Sequence, residues 1–126
     1  MIRFHHHYTV EEARALLPQI RTWLTRLDFL QAQLQSADRA IDSILASGAD
    51  AGGTTVNDRV RLELERTHVM EEFANRSLIL RDHERGKVDF PSIREGRGVF
   101  LCWERSESSV EYWRELDGDD DGRVSV

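Results

Sequence analysis

Residues 87–107, KVDFPSIREGRGVFLCWERSE, decide the fold of this chain. A turn over residues 95–98, EGRG, separates two apolar stretches of strand length. The first covers residues 88–93, where Pro91 favours a sheet edge or a bulge. The second covers residues 99–103 and is apolar on both faces, because side chains alternate along a strand. The stretch therefore predicts two neighbouring strands, and the second has no face that favours water.

This two-sided strand is the main argument for association. A helical hairpin can cover one of its faces, but a chain of 126 residues has little left to cover the other. We therefore expect a second copy of the chain to cover the remaining face, which predicts a homodimer. An unknown protein partner is the alternative cover.

Two further strands are predicted on either side of this pair. Residues 78–80, LIL, form a short strand that ends at a turn over residues 84–86. Residues 110–116 form either a fourth strand or a short helix, and we favour the strand. Residues 78–116 are therefore expected to fold as a β-meander.

Residues 117–126 are expected to form an acidic tail. Within this segment, DGDDDG at residues 117–122 matches the first half of a calcium-binding loop. The match lacks the closing bidentate glutamate on which such a loop depends. The composition therefore favours a frayed, solvated tail over a calcium site.

The N-terminal part of the chain has helical periodicity. Thr9 and Glu12 have the spacing of a capping box, in which each side chain bonds the backbone N–H of the other residue. An apolar pattern with a seven-residue repeat follows, interrupted by Gln31 and Asp38. The pattern predicts a first helix over residues 9–46. Its apolar stripe is wider than a coiled-coil seam, which indicates packing against more than one element.

A second helix completes the predicted architecture. Pro18 leaves the phase of the first apolar pattern unchanged, so we expect a kink near it rather than a break. Residues 47–55, SGADAGGTT, form a flexible connection, and a less regular stripe predicts helix two over residues 56–76. A short connection makes the two helices antiparallel neighbours. We predict one α+β domain over residues 1–126, a long antiparallel helical hairpin packed on a small antiparallel β-sheet.

Composition excludes several functional classes. The formal net charge is −6, so the chain as a whole repels nucleic acid and anionic membranes. No apolar run approaches the roughly 18 residues of a membrane-spanning helix. Cys102 is the single cysteine, which rules out an internal disulfide and fits a reducing compartment. We expect a cytoplasmic protein with no nucleic-acid or membrane partner.

Four blocks of the sequence resemble one family. They are YTVEEARALLP at 8–18, ERGKVDFPSIREGR at 84–97, VFLCW at 99–103 and YWREL at 112–116. In this order they are similar to the blocks of the DUF2203 family, a small bacterial family known as a domain of unknown function. The resemblance implies a soluble bacterial protein without an assigned activity. Members tend to carry histidine where this chain has Arg114, which puts in doubt any role of that histidine as a ligand or a base.

Polar residues within the aromatic region are the candidates for a site. If the strands pair as predicted, the carboxylates of Asp89, Glu104 and Glu115 are the candidate acid–base groups. The predicted binding residues, which would form the wall of a polar pocket, are Arg94, Trp103, Trp113 and Arg114. The competing interpretation is that these charges protect strand edges from aggregation.

Two other motifs have a chemical and a structural interpretation. His5 and His7 in FHHHY could share one face of an extended segment and bind a metal, or belong to a solvated N-terminal arm. Cys102 lies between bulky neighbours, which favours a buried thiol over a nucleophile. No motif in the sequence predicts a cofactor.

These observations lead to two functional hypotheses. We expect a noncatalytic protein-interaction or assembly module that acts as a homodimer through its helices or its sheet. The alternative is a small metal-dependent or acid–base enzyme that uses the carboxylates above, with His5 or His7. A concentration-dependent mass without bound metal distinguishes the first hypothesis from the second.

Overall fold

A computed structural model describes residues 4–50 and 53–126. It contains two helices and a five-stranded antiparallel sheet, which confirms the predicted α+β class. The elements are α1 (Val10–Ala46), α2 (Thr54–Ala74), β1 (Ile79–Asp82), β2 (Lys87–Arg94), β3 (Arg97–Trp103), β4 (Tyr112–Glu115), a 3₁₀ turn (Asp120–Gly122) and β5 (Val124–Ser125).

The chain divides into two compact units. The first, called here the sheet unit, comprises residues 4–24 together with Glu72–Val126, and the second, called the hairpin unit, comprises Thr25–Glu71. Within the residues that the structure describes, neither helix offers a stretch long and apolar enough to cross a membrane.

The sheet follows chain order, β1-β2-β3-β4-β5, with every neighbouring pair antiparallel. Its longest ladder joins β2 to β3, from Val88 opposite Trp103 to Arg94 opposite Arg97. Glu95 and Gly96 form the two-residue turn between these strands. Both have positive φ, as a type I′ hairpin turn requires.

Both faces of β3 are covered within one chain, and every residue from Val99 to Trp103 is buried. On one face, the Phe100 ring packs edge-on against Phe4 at 5.7 Å between centroids. The Arg114 guanidinium lies 4.9 Å from the centroid of the same ring. On the other face, the Arg21 guanidinium lies 5.0 Å from the centroid of the Trp103 indole.

The predicted need for a second copy at this strand is therefore wrong. The physical reason is that the segment before α1, the first turns of α1 and a strand arginine supply the missing cover. Tyr8 adds to it, because its ring packs edge-on against Phe90 at 5.4 Å and its backbone N–H donates to the Pro91 carbonyl at 2.7 Å.

The start of α1 shows the expected capping box. The Thr9 N–H donates to Glu12 Oε1 at 2.9 Å, and the Glu12 N–H donates to Thr9 Oγ1 at 3.1 Å. Pro18 lies inside this uninterrupted helix, and the kink near it stays a prediction. Helix α2 begins and ends two residues earlier than predicted. It ends at Ala74 because Ser77, with a φ of 61°, turns the chain out of the helix. Residues 51–52 of the predicted connection lie outside the described residues.

The C-terminal segment is ordered into the sheet, so the prediction of a frayed tail is wrong. β5 pairs with β4, with Val124 opposite Trp113 and Ser125 opposite Tyr112. Upstream, the Asp119 side chain caps the 3₁₀ turn by accepting the Asp121 N–H at 3.1 Å. Asp119 therefore caps a local turn, and Asp120 forms ion pairs with Arg81 and Lys87.

In the hairpin unit, two polar pairs define the antiparallel register of α1 and α2. Asp38 accepts the Arg59 Nε–H at 2.5 Å, and Gln31 accepts an Arg66 N–H at 3.3 Å. Gln31 lies seven residues before Asp38 on α1, and its partner Arg66 lies seven residues after Arg59 on α2, as antiparallel helices require. The two polar interruptions of the apolar stripe in α1 therefore face the arginines of α2.

Candidate functional site

The sheet unit contains a cavity of about 360 Å³ at one end of the sheet. The strands β1, β2 and β3 and the C-terminal turn contribute to its wall. The lining residues are Arg81, Arg85, Lys87, Asp89, Cys102, Trp103, Glu104, Asp120, Asp121 and Arg123. Four of them are basic and four are acidic, so the cavity is charged with both signs.

Asp89 is the buried carboxylate of this cavity. It is 2% exposed and forms an ion pair with Arg114, and Arg81 Nε lies 3.4 Å from its Oδ2. Burial raises the pKa of Asp89, and the neighbouring charges of Arg114 and Arg81 oppose that rise. The carboxylate is therefore held between two guanidinium groups rather than left for a proton-transfer role.

A second carboxylate in the lining of the cavity, that of Asp120, also pairs with Arg81. Its Oδ1 accepts from Arg81 at 2.8 Å, and its Oδ2 accepts from Lys87 Nζ at 2.6 Å. These two bonds hold the pKa of Asp120 well below its usual range, and the bond to Asp120 raises the pKa of Arg81. The arrangement is that of an anion bound by two cations, in which the anion belongs to the chain itself.

Arg123 forms a fixed part of the cavity wall. Both oxygens of Glu107 accept from its NH2 group at 2.8 Å, and its guanidinium lies 4.2 Å from the centroid of the Tyr112 ring. The Trp103 indole N–H donates to the Glu107 carbonyl at 3.0 Å. Glu107 therefore orients both a cation and an aromatic ring beside the cavity.

Cys102 is a buried thiol, as expected from its neighbours. Burial raises its pKa to about 11, and the nearby Asp89 carboxylate adds to this effect. Its Sγ lies 3.8 Å from the Phe100 carbonyl, which accepts the weak hydrogen bond. A thiol this hard to ionise is a poor nucleophile.

The structure does not bring the three candidate carboxylates together. Asp89 and Glu104 line the cavity. Glu115 lies opposite Val99 at the other end of β3, and its Oε1 pairs with Arg97 NH1 at 2.9 Å. Glu115 is remote from the other two carboxylates because β3 and β4 run antiparallel, which places the end of β4 beside the start of β3.

The four predicted binding residues are also divided. Trp103 lines the cavity, and Arg114 reaches it through Asp89. Arg94 instead covers Trp113, with its guanidinium 4.8 Å from the centroid of that indole. This second pair belongs to the opposite part of the sheet surface and takes no part in the cavity.

Arg114, at the position where a histidine was expected in the family, has a structural environment. Besides Asp89, it donates to the Gly118 carbonyl at 2.9 Å and to the Glu115 carbonyl at 3.2 Å. One guanidinium therefore joins β2, β4 and the turn after β4. A neutral imidazole has fewer donors and cannot make all of these bonds.

His5 and His7 are exposed side chains before α1. His7 packs edge-on to Phe4 at 6.4 Å between ring centroids. Across residues 4–50 and 53–126, no group of three or more His, Cys, Asp or Glu side chains is placed to hold a metal ion. Metal binding by His5 and His7 stays a prediction.

Sequence reasoning missed the cations and the carboxylate that define the cavity: Arg81, Arg85, Lys87, Asp120 and Arg123. One local signal was present, because Lys87 and Asp89 are two residues apart on a strand and so share a face. No local signal connects Arg81 to Asp120, which are 39 residues apart in the chain.

Together, the helices, the antiparallel meander and the charged cavity define a small α+β protein. The family model described as "Uncharacterized conserved protein (DUF2203)" matches residues 6–126, and the chain therefore belongs to this family. The resemblance of its four sequence blocks is thereby confirmed. A search of curated proteins finds no match. A search of solved structures finds none either.

Proposed function

We propose that the protein is a noncatalytic assembly module that acts as a homodimer joined through its hairpin unit. One observation carries this proposal. The buried residues among those described in the hairpin unit are Leu27, Leu30 and Leu34, and no described residue from 35 to 71 is buried. Beyond Leu34, the described helical segments 35–46 and 54–71 therefore contain no buried residue.

Large apolar side chains of this unit remain in contact with water. Leu45 and Leu64 are each 56% exposed, and Val60 is 51% exposed. Val60 and Leu64 lie one turn apart on α2, so they form one continuous apolar surface. Phe29 and Met70 are exposed as well. Adjacent exposed apolar side chains such as Val60 and Leu64 mark association surfaces in proteins.

A second copy of the chain is the occupant that this surface fits. Two helices alone cannot bury wide apolar stripes, whereas two hairpins together form four helices around a shared core. The polar pairs Asp38–Arg59 and Gln31–Arg66 already fix the antiparallel register within one hairpin. Because these polar pairs hold the two helices together, the exposed apolar side chains are not needed for that contact and can bind the second copy. The net charge of −6 disfavours nucleic acid as the occupant.

The alternative of a small acid–base enzyme has weaker support. It retains Asp89 and Glu104 in one cavity, but Asp89 is engaged by Arg114 and Arg81, and Glu115 lies elsewhere. We also propose a cytoplasmic location, since the single cysteine, Cys102, is free and buried.

Sedimentation of the full chain over a wide concentration range tests the proposal. The wild-type protein is expected to move from monomer to dimer as its concentration rises. The double variant V60E/L64E is expected to stay monomeric, because two buried glutamates oppose association. Ile93→Glu is the matched control, since it makes the same kind of change at an exposed apolar residue of the sheet unit.

Circular dichroism checks that the double variant is folded, since it must retain the helix signal of the wild-type protein. A wild-type protein that is monomeric throughout contradicts the proposal. A double variant that dimerises like the wild type also contradicts it, since the contact then lies outside the hairpin surface.

A further inference from the structure

We propose that the cavity of the sheet unit binds a small molecule that carries a phosphate or carboxylate group, and that Asp120 is a tethered substitute which this group displaces. The anionic group would lie between Arg81 and Lys87, where the Asp120 carboxylate now lies. The inference is independent of the proposed dimer.

The two cations are placed to bind an anion strongly. The side chain of Lys87 is 18% exposed and that of Arg81 is 30% exposed. Charges that are partly removed from water are less screened by solvent and salt than charges on an open surface. Arg81 is also oriented from behind, because its Nε lies 3.4 Å from the buried Asp89. Such support keeps a guanidinium in position when its ligand changes.

The remaining charges favour an anion once Asp120 has left. Of the lining residues, four are cations, and three carboxylates then remain: Asp89, Glu104 and Asp121. The Asp89 charge is compensated by Arg114. Arg123 is paired with Glu107 in the same way. The vacated cavity still keeps a net positive charge, and Arg85 supplies charge for a second anionic group or a longer ligand.

The cavity has room for more than one carboxylate. Its volume of about 360 Å³ is present with Asp120 in place. Small-molecule sites in proteins have volumes of about 300–1,000 Å³. Trp103 and Cys102 also line the space beside the charges. The anionic group of a ligand would replace Asp120, and the rest of the molecule would occupy the existing space.

The tether is suited to release. Asp120 is the first residue of a three-residue 3₁₀ turn, and the residues on either side of it, Asp119 and Asp121, are exposed. The following strand, β5, has two residues, and both are exposed. Turning the Asp120 side chain out of the cavity breaks its bonds to Arg81 and Lys87, while Arg123 and the β4–β5 pairs can keep their contacts. A ligand with a higher charge than a carboxylate can therefore compete with Asp120.

Isothermal titration of the full chain with pyrophosphate and, separately, with citrate tests the inference. Asp120→Asn removes the tethered charge and preserves the size of the side chain. It is expected to bind one of the two probes about tenfold or more tightly than the wild type, because the competitor is lost. The preferred probe identifies the ligand as phosphate-bearing or carboxylate-bearing. The double variant D120N/K87Q is expected to lose this gain.

Asp121→Asn is the matched control. It removes the same charge from the same turn, but Asp121 lines the cavity without occupying the position between Arg81 and Lys87. An equal gain in Asp121→Asn shows that overall charge, not displacement, explains the binding, and it overturns the inference. The same conclusion follows if Asp120→Asn binds neither probe more tightly than the wild type, or if D120N/K87Q binds as tightly as Asp120→Asn.

A measurement on the wild-type protein avoids dependence on folded variants. At saturating probe, displacement of Asp120 is expected to shift the NMR amide signals of Gly122 and Val124, while those of the hairpin unit stay unchanged. Probe binding that leaves the signals of the turn and β5 in place overturns the displacement step.

Discussion

The sheet unit and the hairpin unit both contain strong apolar sequence patterns but differ in how much of each pattern is buried. In the sheet unit, β3 is buried on both faces because segments distant in sequence return to cover it. In the hairpin unit, the apolar stripe of α1 continues to Leu45, yet burial stops at Leu34. The comparison shows that periodicity predicts which residues can form a core, whereas burial requires an element placed opposite them.

The two units also use charge differently. The Asp89–Arg114 pair of the sheet unit is buried, whereas the Arg26–Glu65 and Asp38–Arg59 pairs of the hairpin unit are largely exposed. A buried pair costs much stability when one partner is lost, while exposed pairs contribute little. The sheet unit is therefore expected to respond more strongly to charge substitutions.

The largest effect is expected for Arg114→Ala. It leaves the buried Asp89 with Arg81 as its remaining partner at 3.4 Å and removes the bonds to the turn after β4. We expect a loss of about 3–5 kcal/mol in the free energy of unfolding, measured by urea denaturation. Arg97→Ala, which removes the exposed partner of Glu115, should cost about 1 kcal/mol or less. Equal losses in the two variants would contradict the difference between buried and exposed pairs.

A second pair of substitutions tests the limit of burial along α1. In the monomeric background V60E/L64E, Leu27→Ala should reduce the free energy of unfolding by about 2–5 kcal/mol, because it opens a cavity at a buried position. Ile41→Ala lies beyond the last buried leucine, at a half-exposed position, and should cost about 1 kcal/mol or less. A large loss for Ile41→Ala in this background would show that the hairpin has a core within one chain.

The smallest effect concerns acid stability and Asp120. Because the folded-state pKa of Asp120 lies below that of the unfolded chain, its stabilising contribution is present above the unfolded value of about 4. This contribution is lost as the pH falls through the folded-state pKa. The difference in melting temperature between wild type and Asp120→Asn should thus be constant above about pH 5 and shrink at lower pH. Asp121→Asn serves as the control, and a pH-independent difference for Asp120→Asn would contradict the ion pairs.

Local chemistry made part of the fold predictable. The capping box of Thr9 and Glu12 involves four consecutive residues, and the β2–β3 turn needs two residues that accept positive φ. Both features depend on neighbours in sequence, so their prediction did not require knowledge of the rest of the chain. The same holds for Lys87 and Asp89, which alternate onto one face of β2.

Other features depended on contacts that no local pattern contains. The acidic composition of residues 117–126 predicted solvation, but Asp120 meets cations from β1 and β2. Similarly, the argument that β3 needed a partner omitted Phe4 and Arg114, which are far from each other in the sequence. The charge of the acidic segment and the apolar character of β3 were identified correctly from the sequence. The residues that contact them were not.

The sequence by itself determined the order of the two helices and the first four strands, their periodicities, and the local caps and turns, because these depend on backbone preferences over a few residues. The tertiary structure alone decided that β3 is buried on both faces, that the C-terminal segment becomes a strand, and that a carboxylate lies between Arg81 and Lys87. These outcomes depend on which distant surfaces meet. Burial and ion pairing are properties of contacts between segments, not of single residues.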